Sequence, residues 1–425
     1  MNSKKIAAAM TAAAMLSTVC SMGAGAEEAK QVTLTYMNHT SEELKIEWED
    51  ALIEAFEEAH PGVTIEVQRM SYDDYISTLQ TKFASGDAPD IYALESAYVE
   101  KYIENGYVAG LNDTDAAGRF AEGVLDMLSV DGEAYGIPYA TQVMEVTYNK
   151  DVFEQCGITE VPKTEEEFYA VCETLMEAGI TPIGGAYSET WCLMADLQAD
   201  YIGSVLMKDG ESIINLQNRT ATFAESEDWA GVMERIQTRL QYANSDPFGT
   251  SWDDVCTGMA NGEIAMALNG HWTANNVLAM NPDANLATFQ LPTTDNAEDA
   301  KYVLQSPTEG MALNPEGKDL ELAKEFLNFY TSTEAVQSFV DTISEICVVT
   351  GTEADTQSAA PAGLEDIVAA IAEGNTYSLG SVDHNFENEY RDAVQTVVSE
   401  FLLNEASVEE CLANLDAEFD RIAED

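Results

Sequence analysis

The chain has 425 residues, 76 acidic and 19 basic, and its formal net charge is -57. The acidic residues are spread along the whole length, and this charge excludes nucleic acid and anionic lipid as partners because both would be repelled. Hydrophobic residues make up 46% of the chain, which is typical of a globular protein and not of a disordered acidic tail. The length is sufficient for two or three domains with a sizeable core.

The first 26 residues have the pattern of a secretory signal peptide. The lysine pair Lys4-Lys5 precedes an apolar run of small residues, and Ala24-Gly25-Ala26 supplies an Ala-x-Ala cleavage site. The run is too short to span a membrane permanently, so we expect an exported, soluble protein, extracellular or held at the cell envelope. A lipid anchor at Cys20 is the less favoured alternative, because Val19 stands where a lipoprotein signal has a small residue.

The N-terminal part alternates predicted strands and helices. Alternating apolar residues predict strands at Gln31–Met37 and Val63–Val67, and a short apolar run predicts a buried strand at Asp90–Leu94. Apolar residues at helical spacing predict a helix that ends near Ala59 and a second one over Tyr75–Phe83. This order predicts an α/β fold with a parallel or mixed sheet flanked by helices.

The middle of the chain contains a long extended segment and a capped helix. Ala134–Asp151 is long enough to pass from one domain into another. Thr164 with Glu167 three residues later predicts a capping box at a helix start. Ile180–Gly185 is a predicted strand that leads into a loop with two aromatic residues.

The strand predicted at Ile264–Leu268 ends in Gly270, and His271 and Trp272 follow before a new helix. This pattern places a flat ring at the carboxyl edge of a sheet, where open α/β sheets bind ligands. The remaining predicted elements are strands at Ala287–Leu291 and Gly310–Asn314 and helices at Leu320–Tyr330, Glu389–Leu403 and from Ser407 onward.

Motifs of catalysis and of cofactor binding are absent from the sequence. It has no Gly-x-Ser-x-Gly, no Walker loop, no His-Glu-x-x-His and no dinucleotide fingerprint. The four histidines lie far apart, which gives a zinc site no local support. The six cysteines after the signal peptide form no Cys-x-x-Cys pair, and we expect buried free thiols. The sequence therefore predicts a protein that is not an enzyme and needs no cofactor or metal.

Aromatic and polar residues follow several predicted strands, where they are exposed to a ligand. Sugars suit such a set, because their C–H faces lie on aromatic rings and their hydroxyls need carboxylates, amides and imidazoles. Core packing is an equal alternative for any one of these residues. The set consists of His39, Tyr72, Glu95, Tyr139, Tyr187, Trp191, Trp272 and Tyr377.

Short motifs along most of the mature chain carry a family resemblance. They lie at residues 55–63, 86–91, 136–139, 147–151, 261–266, 270–272 and 323–327. In this order, and behind a signal peptide, the sequence resembles the extracellular solute-binding proteins of carbohydrate ABC importers, the family 1 group that includes the maltose-binding protein.

The resemblance implies a two-lobed, type II periplasmic-binding-protein-like α/β fold, with mixed sheets flanked by helices and a ligand cleft between the lobes. Lobe 1 would comprise residues 31–142 and 309–350, and lobe 2 residues 143–308 and 356–425. It implies a monomer that captures a sugar or oligosaccharide outside the cytoplasm and delivers it to the permease subunits of an ABC importer. Such proteins close on the ligand by hinge motion.

The resemblance also implies roles for single residues. Trp272 is similar to the stacking tryptophan of the second lobe, and Tyr187 and Trp191 are similar to an aromatic pair there. Leu94 stands where an aromatic first-lobe contact is expected, and Ser41 where a charged contact is expected, which argues against a maltodextrin ligand. The complete predicted set is Trp272 and Trp191 for stacking, Tyr187 and Tyr139 for stacking or hydrogen bonding, Glu95, His39 and Glu309 at the rim, and Asp383 as a weaker candidate.

Three alternatives stay open at this point. The same fold could bind a peptide or a polyamine, and the many acidic residues would suit a polyamine. A secreted glycoside hydrolase is a second alternative, because a carboxylate pair cannot be excluded by counting acids. A surface protein with a vestigial cleft is the third. The aromatic residues after strands favour a sugar.

Overall fold

The computed structural model describes residues 31–270, 272–305, 307–343, 345–352, 363–379, 386, 388–404 and 406–424. The predicted signal peptide, Cys20, His271 and Asp383 lie outside these residues. In the part of the chain so described, none of the helices combines the length and the apolar character needed to cross a membrane. The six cysteines after the predicted signal peptide are all free thiols.

The chain divides into two compact units. Unit 1 contains the described residues of Met1–Thr141 and Ser306–Pro361, and unit 2 those of Gln142–Gln305 and Ala362–Asp425.

The strands are β1 (Val32–Asn38), β2 (Val63–Arg69), β3 (Ile91–Glu95), β4 (Ser129–Val130), β5 (Glu133–Ala134), β6 (Gln142–Asn149), β7 (Thr181–Ile183), β8 (Ile264–Gly270), β9 (Leu286–Phe289), β10 (Tyr302–Gln305), β11 (Glu309–Leu313) and β12 (Thr376–Leu379).

The helices are α1 (Glu43–Ala59), α2 (Tyr72–Ser85), α3 (Val99–Glu104), α4 (Lys150–Gln155), α5 (Glu165–Glu177), α6 (Thr190–Tyr201), α7 (Ser212–Gln217), α8 (Glu227–Arg239), α9 (Trp252–Ala260), α10 (Trp272–Met280), α11 (Leu320–Tyr330), α12 (Thr333–Thr342), α13 (Glu365–Glu373), α14 (Asn388–Asn404) and α15 (Val408–Glu424). A π-helical turn continues α6 over Ile202–Leu206.

Unit 1 is built on a four-stranded mixed sheet in the order β11-β3-β1-β2. Strand β1 is parallel to β2 and to β3, and β11 is antiparallel to β3. Helix α1 buries Trp48, Leu52 and Phe56, which recur every four residues and so share one face. The strand and helix order predicted for the N-terminal part of the chain is confirmed.

Unit 2 is built on a six-stranded mixed sheet in the order β12-β10-β6-β8-β7, with β9 also paired to β6. Every residue of β8 is buried, which agrees with the apolar run over its first five residues, Ile264–Leu268. The predicted capping box opens α5, because Thr164 accepts from the backbone of Glu167 and the Glu167 side chain accepts in return. The predicted class, an α/β fold with mixed sheets flanked by helices, is confirmed.

A carboxyl group is buried in the sheet of unit 2. Glu145 on β6 is 0% exposed and lies opposite Asn269 of β8. Its Oε1 accepts a hydrogen bond of 3.4 Å from Thr147, whereas its Oε2 and the Asn269 Oδ1 have no hydrogen-bond partner among the described residues. Burial raises the pKa of Glu145 well above 4.5; the Thr147 hydroxyl opposes this shift and Asp366 adds to it.

We expect Glu145→Gln to stabilise the protein increasingly as the pH rises. Between pH 4.5 and the raised pKa, the folded state holds a proton that the unfolded chain has released, so stability falls with rising pH. An amide has no proton to lose and can donate toward Asn269. The gain in unfolding free energy over wild type should grow from pH 5.5 to 8.5 and reach roughly 1–3 kcal/mol. Urea unfolding at several pH values measures it.

Glu66→Gln is the matched control, because Glu66 is exposed on β2 and the change in net charge is the same. The difference in unfolding free energy between Glu66→Gln and wild type should stay constant from pH 5.5 to 8.5. A Glu145→Gln variant that is less stable than wild type at every pH would show that Glu145 is ionised and well paired.

Candidate functional site

Three of the predicted site residues meet at strand ends in unit 1. His39 directly follows β1, Glu95 ends β3 and Glu309 begins β11. The antiparallel register places Glu95 and Glu309 directly opposite each other. His39 Nε2 lies 3.1 Å from Glu95 Oε1 and 3.5 Å from Glu309 Oε2. The sheet therefore converts three positions that are far apart in sequence into one cluster, which we call the His39 cluster.

The charges of the His39 cluster depend on each other. Burial alone would lower the pKa of His39, but the charge of Glu309 and the hydrogen bond with Glu95 raise it to about 9. Burial also raises the pKa of Glu309, and the charge of His39 opposes that shift. The two carboxylates that flank the imidazole therefore favour its protonated form.

Two tyrosines of α2 hold the imidazole in place. The ring centroids of Tyr72 and Tyr75 lie 5.1 and 5.2 Å from that of His39. The Tyr75 side chain is itself fixed, because its hydroxyl donates to the backbone oxygen of Ala93 in β3. The position of His39 is thus set by packing as well as by its ion pairs.

A tryptophan cluster forms in unit 2 around the start of α6. The Trp191 ring centroid lies 6.3 Å from that of Trp272 and 5.5 Å from that of Trp252. Trp252 is buried, whereas Trp191 and Trp272 are half-buried. The last residue of β8 must be glycine here, because a Cβ at Gly270 would overlap the Trp272 ring. The structure brings together the two tryptophans predicted to stack on a ligand.

Glu189 links two of these tryptophans and was not predicted from the sequence. Its Oε2 accepts from the Trp191 indole Nε1 at 2.9 Å, and its Oε1 accepts from the Trp252 backbone nitrogen at 2.8 Å. Both carboxylate oxygens are therefore used to orient the loop before α6. Because the indole N–H of Trp191 already donates to Glu189, the ring face is the part of this side chain that remains for a ligand.

Tyr187 lies on the same loop, but its hydroxyl is already bonded. The hydroxyl donates to Asp196 Oδ2 at 2.5 Å, and Asp196 Oδ1 accepts from Arg239 at 2.6 Å. Arg239 is buried and also donates to Asp200 at 2.6 Å. A ligand would have to compete with Asp196 for the hydroxyl of Tyr187. The hydrogen bonds from Tyr187 and Arg239 to Asp196 therefore serve to fix the loop.

The other predicted residues lie elsewhere. The ring of Tyr139 is enclosed in the core of unit 1 by Trp48, Tyr330 and Phe339, at centroid distances of 4.8, 4.7 and 4.5 Å. A ring covered in this way has no face to stack on a sugar, so its position disfavours the predicted role. Tyr377 belongs to strand β12 and not to a turn. Asp383 is outside the described residues.

We expect Glu189→Ala to lower the free energy of unfolding by about 1–3 kcal/mol, because it leaves two N–H donors without their acceptor. Glu189→Gln keeps one acceptor oxygen and should lose less than half as much. Urea unfolding followed by tryptophan fluorescence measures both variants, and the native-state emission of the Ala variant should shift as Trp191 loses its partner. Equal stability and emission in wild type and Glu189→Ala would show that these hydrogen bonds do not fix the loop.

The family follows from comparison with known proteins. A family model described as bacterial extracellular solute-binding protein matches residues 41–337, and the chain belongs to this family. The resemblance inferred from the motifs is thereby confirmed. Members of the family are binding proteins, which agrees with the absence of catalytic motifs from the sequence.

Two relatives are named for the sugars that they bind. The chain is 23% identical over 342 residues to the multiple sugar-binding protein of Streptococcus mutans, covering 77% of this chain and 78% of that protein. It is 23% identical over 347 residues to the diacetylchitobiose binding protein DasA of Streptomyces coelicolor, covering 77% and 78%.

Solved structures agree on the fold. The solute-binding protein RafE in complex with raffinose matches with a TM-score of 0.77 at 19% identity, covering 92% of this chain and 100% of that one. A chitin oligosaccharide binding protein matches with a TM-score of 0.77 at 19% identity, covering 93% and 100%. At this level of identity the likeness concerns the fold.

Proposed function

We propose that this protein captures a sugar or an oligosaccharide outside the cytoplasm and delivers it to the membrane permease of an ABC importer. The observation that carries the proposal is the pair of half-buried tryptophans Trp272, which begins α10, and Trp191, in the first turn of α6. It occurs in a member of a solute-binding family whose named relatives bind sugars.

The tryptophan pair would supply the apolar half of the recognition. Sugar rings present C–H faces that pack on aromatic rings, and tryptophan offers the largest such surface. With its N–H bonded to Glu189, Trp191 interacts through its face. Trp272 would pack beside it, with its ring held close to the backbone of Gly270.

The His39 cluster would supply the polar half. Carboxylate oxygens of Glu95 and Glu309 accept hydrogen bonds from hydroxyls, and a protonated His39 donates one. Their side chains are 13%, 35% and 17% exposed, respectively, so a ligand can reach them. We further propose that ligand binds between two lobes, residues 31–142 with 309–350 and residues 143–308 with 356–425, which close by hinge motion.

A thermal-shift screen of the mature protein tests this proposal. The probes are raffinose, stachyose, xylo-oligosaccharides and chito-oligosaccharides, with spermidine and a mixed peptide pool alongside. A ligand that binds only the folded state raises the melting temperature. We expect a shift with one glycan class and recovery of that glycan intact by mass spectrometry. A shift with spermidine or peptide alone, or cleavage of the glycan, would overturn the sugar-capture proposal.

With the glycan that gives the largest shift, we expect Trp272→Ala to weaken binding by roughly 30-fold. Loss of a central tryptophan contact costs about 2 kcal/mol of binding free energy. Isothermal titration calorimetry measures the affinity. The matched control is Trp229→Phe in the core of unit 2, which should lower the melting temperature and leave the affinity unchanged. A Trp272→Ala variant that loses stability but binds the glycan as wild type does would assign this ring to the core.

A further inference from the structure

Three potential metal-ligand atoms lie close together in the His39 cluster. His39 Nε2, Glu95 Oε1 and Glu309 Oε2 all lie within 4.8 Å of one another. The two distances from the imidazole nitrogen are 3.1 and 3.5 Å. A tetrahedral Zn²⁺ ion with bonds of about 2.0–2.1 Å places its ligand atoms roughly 3.3 Å apart. The distances from His39 Nε2 to Glu95 Oε1 and to Glu309 Oε2 lie on either side of that value.

The backbone fixes these donors before any ion binds. Glu95 and Glu309 face each other in the antiparallel register of β3 and β11, and the backbone nitrogen of Ser96 donates to the oxygen of Thr308 at 2.6 Å. The imidazole is packed against Tyr72 and Tyr75. A site carried on strands and supported by packed rings needs little rearrangement to bind a metal.

The net charge of the chain also favours a cation. Near the cluster, Glu42 adds a negative charge at His39 and Lys45 adds a positive charge at Glu309, while the whole chain carries a formal charge of -57. Such a field raises the local concentration of cations. The three side chains are half-buried, so a hydrated ion can reach them.

We propose that His39, Glu95 and Glu309 form a binding site for a divalent transition-metal ion of the zinc class. The imidazole nitrogen selects such an ion over Mg²⁺ and Ca²⁺, which prefer oxygen ligands. The ion would lie between the imidazole nitrogen and the two carboxylate oxygens. Three protein ligands leave a fourth coordination position for an oxygen from water or from a ligand hydroxyl. The hydroxyl as fourth ligand rests on the proposed function; the metal site itself does not.

Titration of Zn²⁺ into the metal-free mature protein, with no sugar present, tests the site by calorimetry. Wild type should show one site, and His39→Ala and Glu309→Gln should each weaken it at least tenfold. The matched control is His60→Ala, because His60 pairs with a single carboxylate, Glu325, at 3.7 Å. This control should bind Zn²⁺ as wild type does. Binding that is equal in wild type and His39→Ala, or no binding in wild type, would overturn the proposal.

A second measurement needs no variant and so does not depend on how the substitutions fold. Co²⁺ is added to the metal-free wild type, and its visible absorption is recorded. A four-coordinate site should give bands many times more intense than those of hydrated Co²⁺. Bands no stronger than those of the hydrated ion would contradict the site. Failure of the sugar screen would leave both metal results unaffected, because neither uses a sugar.

Discussion

The antiparallel pairing of β11 with β3 is the constraint on which the chemistry of unit 1 depends. In sequence, β11 follows Gln142–Gln305, the segment that forms most of unit 2. Its register with β3 places Glu309 opposite Glu95. The parallel pairing of β1 with β3 then brings His39 to the same edge. A shift of one residue in β11 would turn Glu309 to the other face of the sheet. The polar cluster is thus a consequence of strand register.

In unit 2 the equivalent constraint is a set of bonds that fixes a loop. Glu189 holds Trp191 and the start of α9, while Tyr187 is tied through Asp196 to the buried Arg239. Fixing a loop before a ligand arrives reduces the entropy lost on binding. The two units therefore hold the proposed recognition groups by different means: strand register positions the charges of unit 1, and loop hydrogen bonds position the aromatic rings of unit 2.

The elements that were predicted from a long pattern are present in the structure. The alternation in residues 31–37 and the capping box at Thr164 each correspond to an observed element. Strands β10 and β12, with four residues each, were not predicted. The β4–β5 hairpin was also missed, although Asp131-Gly132 at its turn is a strong hairpin signal and both residues have positive φ.

The site was predictable residue by residue but not as an arrangement. His39, Glu95 and Glu309 were each candidates, yet the distance between His39 and Glu309 depends on pairing that no local pattern encodes. Glu189 was not predicted, because a single glutamate in a chain with 76 acidic residues gives no sequence signal of a structural role. Tyr139 was a candidate as an aromatic residue of the motif at residues 136–139, whereas the structure surrounds its ring with other aromatic rings. Tertiary packing decided each of these cases.

A crystal structure of the mature protein with a glycan that raises its melting temperature would show which side chains contact the sugar. We expect a sugar ring lying on the face of Trp191 or Trp272, with hydroxyls bonded to the carboxylates of Glu95 or Glu309. A glycan bound away from both tryptophans, with the two indoles packed as core, would contradict it.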